Sequence, residues 1–588
     1  MSVMPTCIYT FWVSTATELT EVFPLNFLET AIIDELETNQ IFRRRKFNGK
    51  ITFGGLHLKD DYTYFWNIEQ SDPCQRITLL IMRDMDIYWE GYFSTSNGEW
   101  DHDSCTFTVT PLRLDDYSDI YEYIKKEFNI YDAGLTQVAT TLIDGPTTYI
   151  YPYNYYLIDV IEYIIDQLIP GTTVSSTFLN DANNPVTLTT NRYRYLTICQ
   201  KVGAKRPAEV FGPSIGMLSF ESLTEILRCM NLYWTYDALT TTLTVEHVSF
   251  WSPAAGLDIR TQKMAYSTNK YKYTNEILPK YEKFSWMESF YEDFLGLDIY
   301  YNSLCVNQDH NSNISQYSVD VTTDIEYINL MCANDDTASV ISEEGWVLLA
   351  NESRSPGGLY VYLNQALINT GEVLYNMDMS WAYLHRNFFK HDRQLIAGYM
   401  NGSLTNFFTC KKNKLQECSI KYNDLSFDAS EYMTTELGET YLGGLKATVK
   451  TAKIKPYGQI DLTLFYGFAD NVNPGITYSQ IIMVREVKQA GTDSIFYWQT
   501  SEPVDAALAA DPLQIRLTSK DAGGNQCQGA WQVTVMNVGD RSGSIAIDWP
   551  DGCVGPWADP PVCIDIYDYQ GGAAWVFWGK IDINSQCP

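Results

Sequence analysis

The sequence predicts a β-rich α+β protein of several domains, and three observations carry that expectation. At 588 residues the chain exceeds what one hydrophobic core accommodates, so about three to five domains are expected. Tyrosine occurs 42 times and aromatic residues reach 14%, and such rings favour strands and large contact surfaces, where the ring is buried and its polar tip bonded. Short apolar runs separated by turn residues recur along the chain.

Residues 48–113 read as consecutive strands: NGKITFGG, DYTYFWNIEQ, RITLLIMRD, DIYWEGYFS and SCTFTVTPL. Asn48-Gly49 before the first, and SDP and SNGEWDHD between others, serve as hairpin punctuation. They define an N-terminal β-domain, a sheet or small barrel, over residues 1–120. The stretch YYLIDVIEYIIDQLI then switches to helical periodicity, with Leu157, Val160, Ile161, Ile164 and Leu168 on one face. A second helix, SLTEILRCM, has Ser222 and Glu225 in a capping-box pattern and Leu223, Ile226, Leu227 and Met230 on its apolar side. It feeds NLYWTYD–ALTTT–LTVEHVSFW, which has the form of a β-hairpin, and residues 121–280 are expected to form a helix-plus-hairpin domain.

Residues 252–466 mix short helices (WMESFYEDFLG, MSWAYLHRNFF) with strands such as LDIYYNSLC, GWVLLA, LYVYL, LTNFFTCKK and IDLTLFY. Residues 281–466 of this stretch are expected to form a mixed α+β domain. From residue 467 to 588 seven strand-like runs follow, from SQIIMVREV to AAWVFWGKIDI, and that density is the pattern of a β-sandwich. No repeat at a solenoid period is visible.

The formal charge of −31 argues against broad phosphate binding, which needs a surplus of lysine and arginine to displace counterions. It suits a protein that stays soluble at high local concentration, or one that lets DNA pass without gripping it. The dense basic run Arg43-Arg44-Arg45-Lys46 has two readings. One is an anion or partner site; the other, favoured in so acidic a chain, is a strand-edge cluster paired with acidic neighbours. The opening MSVMPTCIYTFWV lacks a basic segment, so no signal peptide is expected. No apolar run approaches the roughly 20 residues that span a bilayer, and no membrane insertion is expected. The 13 cysteines include no CxxC pair, which leaves zinc and redox motifs unsupported. Most are expected to be buried thiols, while Cys527, Cys553, Cys563 and Cys587 could form disulfides in an oxidising medium.

Candidate chemistry is sparse. Glu246 and His247 are neighbours on a strand and point to opposite sides of the sheet, so they form no dyad. GPSIG matches the nucleophile-elbow pattern at Ser214, but a poor strand precedes it and Pro213 adjoins the serine. Glu99, Asp101, His102 and Asp103 in EWDHDSC read better as a solvated hairpin loop than as a metal site. His385 and His391 lack zincin spacing, and His385 beside Trp381, Leu384 and Phe388 reads as a packed core histidine. No Walker loop, dinucleotide fingerprint or EF-hand occurs. A glycosidase carboxylate pair is defined in space and is not visible in sequence. Trp531, Trp549, Trp557, Trp575 and Trp578 could stack on sugars, although sandwich core and subunit contact is the favoured reading. No catalytic, cofactor-binding or metal residue is assigned, no cofactor is expected, and the chain is expected not to be an enzyme.

FRRRKFNGKITF, DIYWEGYFS and the helix–hairpin NLYWTYD…LTVEHVSFW resemble segments of large tail hub or baseplate-type proteins of phages infecting Bacteroidetes. YKYTNEILPKYEKFSW, DFLGLDIYY, TTDIEYI and MNGSLTNFFTCKKNKLQ extend the resemblance, which covers roughly residues 40–466. It implies a structural subunit of the virion tail, assembled in the host cytoplasm and closed with its own copies into a ring, a trimer first and a hexamer second. It also implies a tube-like domain over residues 281–466, contact with other tail or baseplate proteins and fibres, and phage DNA passing without specific binding. It transfers no catalytic residue. The sandwich lies outside it and is expected to serve in decoration, fibre docking or glycan binding.

Overall fold

A computed structural model describes most of residues 8–180, 216–273 and 414–466. Within 181–215, 274–413 and 467–588 it describes individual strands and a few single positions, and for the last of these only strand backbones. The architecture is β-rich, multidomain and built of several sheets with few helices, as the sequence predicts.

The first module has a five-stranded antiparallel sheet in the order Leu112–Arg113, Asp86–Phe93, Ile77–Arg83, Tyr9–Ser14, Leu19–Val22. A three-stranded sheet of Ile51–Gly54, Thr106–Val109 and Glu99–Asp101 accompanies it. In ITLLIMR the alternation is plain: Ile77, Leu79 and Ile81 are buried, and Thr78, Leu80 and Met82 only partly so. Their core includes Phe11, Val13, Phe53, Phe93 and Phe107.

DYTYFWNIEQ is not the strand its aromatics suggest but helix α1, Asp61–Ser71. Asp60 caps it by accepting from the Thr63 N–H at 3.0 Å, and Phe65 and Ile68, three apart, turn into the core. Asn48-Gly49 likewise closes no hairpin. Arg43–Asn48 pairs back to Ala31–Leu36, whereas Ile51–Gly54 pairs with Thr106–Val109. The left-handed Gly49, at φ 125°, therefore hands the chain from one sheet to another.

The sheet it leaves has six strands, in the order Lys272–Tyr273, Lys414–Lys421, Gln459–Tyr466, Thr448–Ile454, Ala31–Leu36, Arg43–Asn48, all antiparallel. A hairpin from near the start of the chain is thus zipped to strands beyond residue 413. Ile420, Leu462, Leu464 and Ala452 on one face build a separate core with Met433 and Leu437.

The largest core among the described residues is built around helices packed on strands. It gathers α2 (Ser118–Tyr123), α3 (Leu157–Leu168), α4 (Thr177–Asn180) and α5 (Phe220–Arg228). The expected hairpin is present, Leu232–Asp237 against Thr242–His247, and Thr173–Ser175 joins it in parallel. On α3, Leu157, Val160, Ile161 and Ile164 are buried as expected, but Ile165 takes the fully buried place expected of Leu168, which packs at the rim. The cap of α5 is Ser219 rather than Ser222. Ser219 Oγ accepts from the Ser222 N–H at 3.2 Å, because Phe220 already belongs to the buried face, and Glu225 pairs with Arg228 at 3.1 Å. A further six-stranded sheet runs Val321–Thr322, Trp346–Leu349, Thr197–Gln200, Thr147–Tyr156, Val138–Asp144, Leu359–Tyr362.

Beyond residue 466, the described residues include seven strands in two antiparallel sheets. One orders Ile482–Lys488, Asp493–Thr500, Ser542–Asp548, and the other Trp531–Gln532, Ile515–Lys520, Cys563–Tyr569, Trp575–Asp582.

Candidate assembly surface

The basic run proves to be a junction between parts of the fold. Arg43 donates from Nε to Asp34 at 2.6 Å and from Nη1 to the Val449 carbonyl at 2.6 Å, 406 positions along the chain. Arg44 is buried and grips Asp115 with two bonds of 2.8 Å, its guanidinium 4.5 Å over the Tyr121 ring. Arg45 reaches the other oxygen of Asp34 at 3.2 Å, and Lys46 pairs with Glu35. Next to them Phe42 enters the helical core, stacked on Tyr117 at 3.9 Å. All four cations hold acids of the same chain, and through Val449, Asp115 and Tyr121 the run ties hairpin 31–48 to Thr448–Ile454 and to the 113–123 segment.

Glu246 and His247 are both buried. The Glu246 carboxylate accepts from the N–H and, at 3.0 Å, from the hydroxyl of Thr177 at the start of α4. His247 lies parallel to the Phe178 ring at 6.4 Å. Each side chain is engaged at the start of α4. In EWDHDSC, Glu99 meets Lys50 at 2.8 Å, while Asp101 accepts from the N–H groups of Asp103 and Ser104. The Ser104 side chain, then the backbone N–H groups of Ser104 and Asp103, hold the Asp101 carboxyl below its ordinary range. His102 bonds the Tyr62 hydroxyl and sits edge-on to Trp66. The segment is a hairpin turn, and among the described residues no three His, Cys, Asp or Glu side chains converge on a metal position. Ser214, His385, His391, Cys527, Cys553, Cys587, Trp549 and Trp557 lie outside the described residues. Trp381 and Leu384, expected beside His385, are fully buried. Cys199, Cys229 and Cys418 are buried thiols of the expected kind, and burial raises the Cys418 thiol to about 12.

The surface offers contact features instead. Leu19, Phe23, Leu25 and Leu28 are all exposed within ten positions, Leu28 by 65%, on and just after the edge strand Leu19–Val22. At the tip of the hairpin joining Ile77–Arg83 to Asp86–Phe93, Asp84 and Met85 adopt left-handed φ of 51° and 78°. That pairing follows the twist of the strands but costs about 1–2 kcal/mol per non-glycine residue. It carries Met85, 83% exposed, into solvent beside the exposed Ile8 and Ile87. Glu90, Asp115, Asp116 and Asp119 line an acidic concavity of about 260 Å³. There burial, then Asp115 and Asp237, push the Asp116 carboxyl upward.

Sequence reasoning passed over a second concavity, of about 860 Å³, between Tyr266–Lys272 and the six-stranded sheet. Its local signal is the Lys-Tyr-Lys-Tyr alternation at 270–273, but Lys453 joins it from far along the chain.

No family model and no curated protein matches the chain. Among solved structures, a tail protein from Neisseria meningitidis MC58 is 10% identical with a TM-score of 0.33, over 78% of this chain and 96% of that one. The 43 kDa tail protein of prophage MuSo2 from Shewanella oneidensis is 9% identical with a TM-score of 0.31, over 78% and 96%. The half-lidded Francisella PdpA-VgrG complex gives 9% and 0.32, over 99% of this chain and 79% of that one. At TM-scores of 0.31–0.33 these likenesses decide neither fold nor role.

Proposed function

We propose that the chain is a structural subunit of a bacteriophage tail, of the hub or baseplate type, and not an enzyme. Copies associate as a ring around the DNA channel, a trimer first and a hexamer second. The ring joins other tail or baseplate proteins and fibres, and DNA passes it without specific binding. The observation that carries this reading is the apolar surface left open on one copy, the Leu19–Leu28 stretch and the Met85 hairpin tip. Side chains of that size, one group on a sheet edge and the other on a strained turn, are stabilised by a partner rather than by water. The excess of acid supports it too, since a lumen without surplus cations does not hold a polyanion by counterion release. Electron microscopy of the purified chain tests the reading: closed rings with an open centre are expected, and single particles at every concentration would sink it.

A second reading is a tail-tip glycan-binding adhesin or envelope polysaccharide hydrolase. It is favoured by Trp531, Trp575 and Trp578, which fall on the two edge strands of one C-terminal sheet. Glycan-array binding that disappears on deleting residues 467–588 would support the adhesin. Reproducible release of reducing ends from host envelope polysaccharide would instead establish the hydrolase.

A further inference from the structure

We propose that the groove on the six-stranded sheet is the docking surface for the acidic face of a second copy of this chain. The inference rests on the ring reading above and deepens it by naming the two faces that meet.

The groove exists because one segment leaves a sheet edge and returns to it. At Ser419 the strand Lys414–Lys421 is held from outside, its carbonyl accepting from the Met264 N–H at 2.8 Å and its N–H donating to Ser267 Oγ at 3.1 Å. At Leu415 it pairs with Lys272. Between these anchors the segment arches away, leaving about 860 Å³ floored by Thr451, Thr463 and Ser419. Tyr266 and Tyr271, both exposed, stand in its wall.

The lining gathers three lysines against two carboxylates. Asp461 is already engaged by Lys455 at 2.8 Å and by Ser419 Oγ and Gln459 Nε2, each at 2.7 Å. Lys270, Lys272 and Lys453 have no acidic partner within 4.0 Å among the described residues, and Glu417 is the carboxylate left to oppose them. Arg43, Arg44, Arg45, Lys46, Lys50 and Arg113, by contrast, each hold an acid of the same chain. An unmatched cationic concavity in a chain of net charge −31 is complementary to what the chain has in excess.

The face that suits it is the concavity of Glu90, Asp116 and Asp119. Asp115 beside them is already taken by Arg44, whereas Asp116 and Asp119 are exposed and hold no cation among the described residues. Like charges crowd there, and an incoming ammonium group relieves the repulsion. Because groove and acidic face are different surfaces, their contact is heterologous, runs head to tail, and closes into a ring when the rotation permits.

The test uses the full chain, with self-association followed by sedimentation across protein and salt concentration. K270E/K272E/K453E and the milder K270Q/K272Q/K453Q remove the cations, and D116K/D119K reverses the acidic face. Both lysine variants are expected to associate about tenfold or more weakly than wild type and to lose most of its salt sensitivity, the sum of three modest charge pairs. Mixing K270E/K272E/K453E with D116K/D119K is expected to restore association that neither shows alone. Wild-type association by both lysine variants would overturn the groove as the seam and leave the ring reading standing. A wild-type chain that stays monomeric throughout would take both down. Duplex DNA binding by wild type, abolished in K270Q/K272Q/K453Q, would replace the second copy with nucleic acid and refute the proposal.

Discussion

Replacing Arg44 with alanine tests whether the basic run is a structural clamp. The wild-type guanidinium is buried, makes two 2.8 Å bonds to Asp115 and stacks over Tyr121 at 4.5 Å. Breaking a buried pair costs about 3–5 kcal/mol, chiefly through the charge left behind. Here the abandoned carboxylate is partly exposed and still accepts from Ser118 Oγ at 3.0 Å and the Tyr117 N–H at 3.2 Å. The low end applies, about 3 kcal/mol, which is roughly a 150-fold increase in local opening. Hydrogen exchange read by mass spectrometry on peptides covering 43–48 and 112–123 measures that opening directly. Arg44→Lys should recover little, since an ammonium group cannot fork onto a carboxylate. Exchange accelerated by less than about threefold would refute the clamp. So would a wild-type affinity for inorganic phosphate that the variant lacks, which would revive the anion site.

Three further outcomes follow from local geometry. Asp60→Ala should cost about 1 kcal/mol by uncapping α1, with Asp60→Asn nearly neutral, as measured by thermal unfolding. The Thr63 bonds lower the Asp60 carboxyl below its ordinary 3.8, so the cap's contribution is present above that pH and fades as pH falls through the lowered value. Thermal scans of wild type and Asp60→Ala should therefore converge in acid. Glu246→Gln should loosen α4 by about 1–3 kcal/mol, because a carboxylate accepting from the Thr177 N–H and hydroxyl is replaced inside the core, and protease sensitivity near residue 177 should rise. Gly438→Ala would set a Cβ 2.1 Å from the Leu445 carbonyl oxygen at the start of the π-helical turn Leu437–Tyr441. A loss of about 1–3 kcal/mol is expected in urea unfolding, and an unchanged midpoint would contradict the packing.

Periodicity made many of the strands and helices α3 and α5 legible, because a face turned to a core repeats every two or every 3.6 residues. Ile77, Leu79 and Ile81 show it on a strand, and Val160, Ile161 and Ile164 on a helix. DYTYFWNIEQ misled because Tyr, Phe and Trp suit strands, while the deciding features were a single capping aspartate and the Phe65–Ile68 spacing. The hairpin of Leu232–Asp237 with Thr242–His247 was legible, but pairing between strands distant in sequence was not. Nothing in AIIDEL announces that it lies beside TVKTAKI, since alternation tells which side is buried and not against which strand. For the same reason the pairing of acids with the basic run was foreseeable from composition, whereas the identities Asp34 and Asp115 were not. The lysine groove is less readable still, being assembled from residues 270, 272 and 453 by a sheet whose order no local pattern encodes.

The central claim, that this chain exists to bind copies of itself, is met most directly by the mass of the purified protein in solution. Multi-angle light scattering at neutral pH and low salt should return a discrete multiple of 67.2 kDa, three- or sixfold. A single 67.2 kDa species at every concentration, with Met85 and Leu28 left in water, would contradict it.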